Sequence, residues 1–424
     1  MENAGVARLL DHAIWWHVYP LGALGAPAVL EGADAVEHRL PRLEAWLEHV
    51  VGTGCSGLLL GPVFASSSHG YDTLDHHRID PRLGDEADLD HLLEKCRERG
   101  LAVLLDGVFN HVGVDHPLAR AARDGSDGSD GSGGAAAEDP TAGMLKRGPD
   151  GAPATWEGHG GLVELDHTDP RVEELVVEVM LHWLRRGIAG WRLDVAYAVP
   201  AGFWARVVAR VRQEFPDALF VGEVIHGDYP AFVEASGLDT LTQYELWKAV
   251  WSAVLDTNCW ELAHALERHD ALLETFVPQT FVGNHDVTRI ATRVGDEGAV
   301  LALAVLMTVG GMPSIYYGDE YAFHGTKEER LGGDDAIRPA LPAGPTDLPT
   351  DGHWMLTLHR ELIGLRRRHP WLARARTVVE DRTNETLTYT SSSGDDWLRV
   401  HVALTPERCV TVTGPEGTLF GWAA

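Results

Sequence analysis

Gly190-Trp191-Arg192-Leu193-Asp194 is the stretch of this sequence that decides the fold. As a β-strand, it places Trp191 and Leu193 on one face and Arg192 and Asp194 on the other. An arginine and an aspartate on one face of an apolar strand are costly to bury unless they serve each other or a ligand. The pair therefore indicates either a structural ion pair or a functional site where this strand ends.

Around this strand, apolar strand-like runs alternate with amphipathic helices from residue 14 to about residue 372. One helix is predicted to start at Pro170, after Asp169 as its N-cap, and to end at Gly187. Eight strands are predicted: Ile14–Tyr19, Gly57–Val63, Ala102–Phe109, Ile188–Leu193, Leu219–Val224, Thr240–Leu246, Thr280–Gly283 and Ser314–Tyr317. Strand–helix units repeated in this number predict an α/β fold, a parallel (β/α)8 TIM barrel.

Two segments interrupt the alternation. The pattern is lost between residues 111 and 168, where an Asp-Gly-Ser repeat at 124–132 lacks the ligand spacing of a calcium loop and indicates a flexible acidic excursion. After residue 372, short runs separated by turn residues predict a small antiparallel β domain. We therefore predict a barrel from residues 1–110 and 169–372, an inserted domain at 111–168 after strand three, and a C-terminal β domain at 373–424.

The charge balance argues against a polyanionic partner. The 424 residues include 35 Lys and Arg against 63 Asp and Glu, a net charge of -28. The basic triplet at 366–368 falls at the end of a predicted helix, where cations interact favourably with the helix dipole. We predict no nucleic-acid partner. No segment reaches the roughly 18 consecutive apolar residues of a membrane span, so no membrane association is predicted either.

The cysteines indicate a reducing environment. Cys55, Cys96, Cys259 and Cys409 lack the spacing of a metal site, and Cys96 falls on the apolar face of a predicted helix. The first ten residues lack a basic region followed by an apolar run. We therefore expect a cytoplasmic protein without disulfides; its oligomeric state cannot be read from the sequence.

Acidic residues follow several of the predicted strands. The C-terminal ends of all strands in such a barrel meet at one rim, so these side chains are expected to lie together. A purely structural role gives no reason to collect carboxylates at that rim. The strand ends are Asp106-Gly107-Val108-Phe109-Asn110-His111, Arg192-Leu193-Asp194, Val221-Gly222-Glu223 and Phe281-Val282-Gly283-Asn284-His285-Asp286.

These four segments resemble, in order and in strand position, the four sequence regions of the α-amylase family of glycoside hydrolases. Two further stretches are similar to family segments: His69-Gly70-Tyr71-Asp72 after strand two, and Ser314–Glu320 at strand eight. The resemblance covers nearly the whole chain, and it equates the insertion and the C-terminal sheet with the family's domains B and C. It implies a retaining enzyme that forms a covalent glycosyl-enzyme.

The resemblance also implies a role for each acid. Asp194 corresponds to the nucleophile, and Glu223 to the acid/base that protonates the leaving oxygen and then activates water. Asp286 corresponds to the third acid, which grips the sugar hydroxyls. Arg192 would keep Asp194 ionised and oriented, and Asp106 would support the site.

Further residues are expected, from the same resemblance, to bind the substrate. His111 and His285 would hydrogen-bond the sugar, and Tyr71 would stack on it. A salt bridge from Arg338 to Asp72 is expected, and a purely structural ion-pair role is an equal alternative for Asp72, Asp334 and Arg338. The full set of expected substrate-binding residues is Tyr71, Asp72, His111, Arg192, His285, Asp334 and Arg338.

Two segments depart from the family pattern. Tyr197 and Ala198 stand where the family often has lysine and histidine, and Leu162–Asp166 matches neither the neopullulanase-like nor the oligo-1,6-glucosidase-like motif, which leaves linkage preference open. No cofactor is expected to be required. A structural calcium ion is the less favoured alternative, with Asn110 as the one ligand-like residue that matches the family.

Three functions are compatible with this pattern. The first is a hydrolase of α-glucosidic bonds in maltooligosaccharides or related α-glucosides. The second is a glucosyltransferase or isomerase, which uses the same acids but passes the glycosyl group to a sugar. The third is a non-catalytic sugar-binding or scaffold protein, which the presence of all three acids disfavours. The hydrolase is the preferred interpretation.

Overall fold

The structure, a computed structural model, describes residues 4–28, 36–127, 143–330 and 332–424. Over these ranges its main sheet has eight strands, and the paired neighbours are parallel, as predicted. The barrel strands, numbered here one to eight in chain order, are Trp15–Val18, Gly57–Leu60, Ala102–Gly107, Gly190–Leu193, Leu219–Gly222, Thr240–Leu241, Gln279–Thr280 and Met312–Tyr316.

The sheet closes on itself. Strands one to six pair in chain order, strand one also pairs with strand eight, and strand eight pairs with strand seven. Strands six and seven meet through a parallel bridge between Thr242 and Gln279, and the Gln243 N–H donates to the carbonyl of Gln279 at 2.8 Å. The predicted (β/α)8 barrel is thereby confirmed.

Strand six is shorter than predicted. It ends at Leu241, and the helix Tyr244–Asp256 begins where the sequence suggested a strand as far as Leu246. The side chain of Gln243 accepts hydrogen bonds from the N–H groups of Glu245 and Leu246, which makes it the N-cap of this helix. This cap places Tyr244 directly above the end of the strand.

Helices connect and surround the strands. The helix Pro170–Arg186 agrees with the prediction: the Asp169 side chain accepts a hydrogen bond from the Arg171 N–H, and Gly187 ends the helix with φ +109°. The α-helices are Ala4–His12, Pro20–Ala23, Glu44–Thr53, Glu86–Glu98, Pro117–Asp127, Pro170–Arg186, Ala201–Glu214, Tyr229–Ser236, Tyr244–Asp256, Cys259–Leu272, Ile290–Thr308 and His353–Arg368. The 3-10 helices are Leu40–Leu43, Trp156–Gly158, Ala196–Ala198, Asp319–Tyr321, Asp335–Ile337, Pro345–Asp347, Thr350–Gly352 and Pro370–Arg374.

The insertion after strand three contributes a small antiparallel pair. His111–Gly113 pairs with Leu162–Glu164, so both ends of the insertion are joined next to the barrel rim. A second small pair, Phe64–Ser66 with Thr73–Ile79, follows strand two. The helix Pro117–Asp127 reaches into the predicted acidic excursion at 124–132; the remainder of that segment lies outside the described residues.

The C-terminal segment forms an antiparallel sheet, as predicted. The Tyr389 and Thr308 hydroxyls lie 2.6 Å apart and join this sheet to the helix Ile290–Thr308. The five strands are Arg376–Arg382, Thr386–Ser393, Asp396–Ala403, Cys409–Gly414 and Gly417–Ala423, paired in chain order. The residue limits given above for the three domains stay a prediction.

All four cysteines are free, and three of them are buried. Burial raises the pKa of the Cys96 thiol to about 12, as expected for a thiol on the apolar face of its helix. Across the part of the chain that the structure describes, no helix combines the length and apolarity needed to cross a bilayer.

Candidate active site

Arg192 organises the rim of the barrel. Its Nη1 atom lies 2.6 Å from Oδ2 of Asp106 and 3.2 Å from Oδ1 of Asp194, and its Nη2 atom lies 2.7 Å from Oε1 of Glu223. These residues come from the C-terminal ends of strands three, four and five. Three predicted acids thus surround one guanidinium group, as the strand-end pattern implied.

Burial sets the charge behaviour of this cluster, since all four side chains are buried. Burial raises the pKa of Asp106 to about 6 and the pKa of Asp194 well above its ordinary value, and Arg192 opposes both shifts. Burial alone would lower the pKa of Arg192, but Asp106 and Glu223 raise it well above its ordinary value. The permanently charged guanidinium of Arg192 therefore binds three carboxyl groups, those of Asp106, Asp194 and Glu223.

Glu223 has two further hydrogen-bond donors. The Tyr244 hydroxyl donates to Oε1 at 2.9 Å, and the backbone N–H of Val195 donates to Oε2 at 3.0 Å. The Asn284 side-chain amide in turn donates to the Tyr244 oxygen at 2.9 Å. The carboxyl group of Glu223 is thus fixed at both oxygens.

Asp286, the third predicted acid, follows strand seven and pairs with Arg338. Nη2 of Arg338 lies 3.1 Å from Asp286 and 2.9 Å from Asp334. The expected salt bridge from Arg338 to Asp72 is wrong, because Asp72 instead accepts hydrogen bonds from the N–H and hydroxyl of Ser68 at 3.1 and 2.6 Å. Asp286 and Asp334 are each 34% exposed at the side chain, which leaves them accessible to a ligand.

His285 is held between two tyrosine rings. Its ring stacks on Tyr19 with the centroids 5.6 Å apart and on Tyr71 with the centroids 5.5 Å apart. The Tyr71 hydroxyl donates to Asp106 at 3.1 Å and also contacts Nε2 of His285. Burial lowers the pKa of His285 well below its ordinary value, so the imidazole is neutral. Stacking of Tyr71 on a sugar stays a prediction.

His111 is the first residue of the insertion. It is buried, its ring stacks on Trp156 with the centroids 6.1 Å apart, and Nδ1 lies 3.1 Å from the side-chain nitrogen of Asn110. Burial lowers the pKa of His111 to about 4. The insertion therefore brings an aromatic side chain, Trp156, to the edge of the predicted substrate site.

Tyr197 is the main departure from the family pattern in this region. The half-buried side chain faces the ring of His226, with the centroids 5.1 Å apart. Burial, together with the nearby carboxylates of Glu157, Glu223 and Asp194, raises the pKa of Tyr197 to about 12. Tyr197 thus lies beside the acids, where the family often has a lysine, and carries no charge there.

The surroundings of Asn110 give limited support to a calcium ion. Calcium prefers six or more oxygen ligands, most of them carboxylates and carbonyls. Asn110 contacts His111 through its side-chain nitrogen, and in the described residues three potential metal-ligating side chains converge instead at His38, Asp85 and Asp88. Asp85 caps the helix Glu86–Glu98 with Asp88 as its reciprocal partner, so that second group has a structural explanation.

Several site residues escaped the sequence analysis. Tyr244 was assigned to a strand, because Gln243 is not one of the residue types that usually mark a helix start. Asn284 lay inside a quoted segment without a role. Tyr19 directly follows strand one, and its stacking on His285 could not be foreseen from the sequence. The N–H of Val195 carries no side-chain signal at all.

A separate cavity of about 790 Å³ opens at the other end of the barrel. Its lining includes Arg8, His12, Cys55, Glu214 and Arg367. None of the predicted site residues lines it. Because catalytic groups in such barrels lie at the C-terminal ends of the strands, we place the candidate site at the rim that contains Arg192.

These features place the chain among α/β barrels that collect their functional side chains at the C-terminal rim. Residues 44–138 and 156–387 match the α-amylase catalytic domain, and the chain belongs to the α-amylase family of glycoside hydrolases, as the sequence predicted.

Two curated relatives and one solved structure show the range of similarity. A cyclomaltodextrinase from Geobacillus thermopakistaniensis is 29% identical over 370 residues, 84% of this chain and 60% of the relative. An intracellular maltogenic amylase from Bacillus subtilis is 28% identical over 292 residues, 66% of this chain and 48% of the relative. The chain thus spans about half to three fifths of the length of these relatives. A cyclic α-maltosyl-(1→6)-maltose hydrolase from Arthrobacter globiformis has the same fold, with a TM-score of 0.80 at 24% identity over 98% of this chain and 99% of that one.

Proposed function

We propose that this chain is a retaining glycoside hydrolase that cleaves α-glucosidic bonds of maltooligosaccharides or related α-glucosides. The observation that carries the proposal is the attachment of Asp194 and Glu223 to the same guanidinium group, that of Arg192, at 3.2 and 2.7 Å. A retaining mechanism needs two carboxyl groups at close range, one as nucleophile and one as acid/base. The similarity to a cyclomaltodextrinase supports an α-glucan substrate.

In the first step, Asp194 attacks the anomeric carbon and forms a covalent glycosyl-enzyme. Burial raises the pKa of Asp194, so an adjacent cation is needed to keep the carboxylate ionised. Arg192 supplies that charge, and its hydrogen bonds to Asp106 and Asp194 fix the direction of attack. The leaving oxygen receives its proton from Glu223 in the same step.

In the second step, Glu223 takes a proton from water, which attacks the glycosyl-enzyme and releases the sugar with retained configuration. Asp286 binds the sugar hydroxyls, a role that its 34% exposed side chain supports. Arg338 holds Asp286 in place from the opposite side. The two reacting acids supply both the proton and the nucleophile, and we propose that the reaction requires no cofactor.

The further predictions about partners and location also stand as proposals. The net charge of -28 supports a neutral sugar as substrate and disfavours nucleic acid. The similarity to an intracellular maltogenic amylase supports a cytoplasmic location. A structural calcium ion at Asn110 stays the less favoured alternative, so we expect the melting temperature to be the same before and after chelation.

The deciding experiment is a product time course by NMR with maltose, maltotriose, sucrose and trehalose as separate substrates. We expect free glucose to appear first as the α-anomer with the wild type and to be lost in Glu223→Gln. Glu214→Gln is the matched control, because Glu214 pairs with Arg185 at the surface and lines the cavity at the other end of the barrel. New disaccharides in place of net hydrolysis would identify a glucosyltransferase or isomerase, and no turnover on any α-glucoside would overturn the proposal.

A further inference from the structure

A chain of two hydrogen bonds joins Asn284 to Glu223 through the Tyr244 hydroxyl. The Asn284 amide donates to the Tyr244 oxygen at 2.9 Å, and the Tyr244 hydroxyl donates to Oε1 of Glu223 at 2.9 Å. Because the tyrosine oxygen already accepts from Asn284, its own proton is directed at the carboxyl group. Such chained bonds polarise one another and strengthen the terminal one.

The position of Tyr244 is fixed by local structure. It is the first residue of the helix Tyr244–Asp256, whose N-cap is Gln243. Its ring packs edge-on against Trp247, with the centroids 5.7 Å apart, and against Phe281, with the centroids 4.9 Å apart. Burial raises the pKa of Tyr244 well above its ordinary value, so the hydroxyl keeps its proton and remains a donor. A rigid, neutral donor of this kind is suited to orienting a carboxyl group.

The groups that face Glu223 come from several elements. Strand four supplies Arg192 at 2.7 Å and, just beyond it, the Val195 N–H at 3.0 Å. The carboxyl groups of Asp194 and Asp106 and the phenol of Tyr197 also interact electrostatically with Glu223. Of these groups, Arg192 is shared with two other carboxylates, whereas the Tyr244 hydroxyl has Glu223 as its acceptor.

From this arrangement we infer that Tyr244 is a positioning residue for Glu223. Its hydroxyl, oriented by Asn284, holds the carboxyl group in one orientation and favours its ionised form. Oε1 accepts from both Arg192 and Tyr244, whereas Oε2 accepts from the Val195 N–H alone among the described residues, so Oε2 keeps the lone pair that carries the proton when Glu223 acts as an acid. The inference rests on the proposed role of Glu223 as the acid/base.

The test is the titration of Glu223 in Tyr244→Phe, which removes the hydroxyl and keeps the ring. Protein labelled with ¹³C at the glutamate δ-carbon is titrated by NMR, and the Glu223 signal is assigned by its loss in Glu223→Gln. We expect the midpoint to rise by about one pH unit in Tyr244→Phe, because the carboxylate loses a donor. The alkaline limb of the kcat/KM profile moves to higher pH by the same amount, while kcat falls about 10-fold and KM changes less than about twofold.

Tyr389→Phe is the matched control. It removes another buried tyrosyl hydroxyl, that of Tyr389 in the C-terminal sheet, which lies 2.6 Å from the Thr308 hydroxyl. The Glu223 midpoint is expected to stay at its wild-type value. An unchanged midpoint in folded Tyr244→Phe would overturn the inference. Absence of turnover by the wild type would instead overturn the proposed function, and the NMR titration separates the two because it needs no substrate.

Discussion

Arg192 and Asp106 form a buried ion pair in which Nη1 lies 2.6 Å from Oδ2. The same Asp106 oxygen accepts a hydrogen bond from Tyr71, while Oδ1 has no hydrogen-bond partner among the described residues. Asp106 therefore orients the guanidinium but is itself incompletely satisfied. Because Asp194 and Glu223 share the same cation, Asp106 adds negative charge to a group that already contains two carboxyls.

This arrangement gives Asp106 a measurable effect on stability. Burial raises its pKa from 3.8 to about 6, so the folded protein binds this proton more tightly than the unfolded chain. The contribution of Asp106 to stability is thus fully present below pH 4 and is lost as the pH rises to 6. Relative to Asp106→Asn, the wild type should lose on the order of 3 kcal/mol of unfolding free energy between pH 4 and pH 7.

Urea unfolding of both proteins across this pH range measures the effect, and Asp11→Asn, at a surface aspartate that pairs with Arg374, serves as the control. If the unfolding free energy of the wild type changes with pH in the same way as that of Asp106→Asn, Asp106 has an ordinary pKa. We also expect kcat to fall at least about 10-fold in Asp106→Asn, since Arg192 loses the charged partner that fixes it.

Arg338→Ala should weaken substrate binding and turnover together. Arg338 donates to Asp286 at 3.1 Å and to the carbonyl of His285 at 2.8 Å, so its removal takes this support from both residues of the loop after strand seven. We expect kcat/KM to fall about 10- to 100-fold, with a rise in KM. Steady-state kinetics checks this against Arg185→Ala, which breaks a surface pair with Glu214. Equal kinetic constants in the two variants would show that Arg338 has only a structural role, as a member of an ion pair.

Arg366 should be far more important for stability than Arg368, its neighbour in the basic triplet. Arg366 is buried and donates to the carbonyls of Met307, Val309 and Gly311 at 3.1, 2.8 and 2.5 Å, whereas Arg368 is exposed. Arg366→Met leaves those carbonyls unpaired and should cost about 3 kcal/mol of unfolding free energy. Arg368→Met should change it by less than about 0.5 kcal/mol. Urea unfolding measures the free energy of unfolding of both variants. Equal losses in the two would contradict the structural role given to Arg366.

This triplet also shows how far the sequence could predict the structure. A helix ending at residue 368 was readable from its apolar period, and cations in its last turn were expected. What the sequence could not show is that Arg366 bonds the end of a different helix, Ile290–Thr308, across a separation of more than fifty residues. Long-range partners of a side chain depend on tertiary packing, which a local period does not encode.

In the site, too, some features could be predicted from the sequence and others could not. Strand ends and spacing predicted that Asp106, Asp194 and Glu223 meet, because the topology of a parallel barrel forces them to one rim. The salt bridge from Arg338 to Asp72 was predicted wrongly, since several acids lie within reach of a long side chain and the loop geometry selects Asp286 and Asp334. Tyr244 was missed because a short strand and a helix start look alike in an apolar run.

Val195, which follows the nucleophile candidate Asp194, has φ +40° and ψ +43°, a left-handed conformation that is strained for a β-branched residue. The conformation has a functional counterpart, because it accompanies the hydrogen bond from the Val195 N–H to Glu223 at 3.0 Å. Glycine adopts this region without strain, whereas alanine keeps a cost of about 1 kcal/mol. Val195→Gly should therefore be more stable than Val195→Ala by about 1 kcal/mol, the reverse of their order in a helix interior.

Urea unfolding of the two variants tests this order, and each retains the backbone N–H that bonds Glu223. Gly202, inside the helix Ala201–Glu214, provides the internal reference. Gly202→Ala should stabilise the protein, because helix propensity favours alanine and the added Cβ would lie 3.9 Å from the nearest atom, Nη1 of Arg206. If Val195→Ala proves more stable than Val195→Gly, Val195 does not adopt the left-handed conformation in solution. The strain would then play no part in aiming its N–H at Glu223.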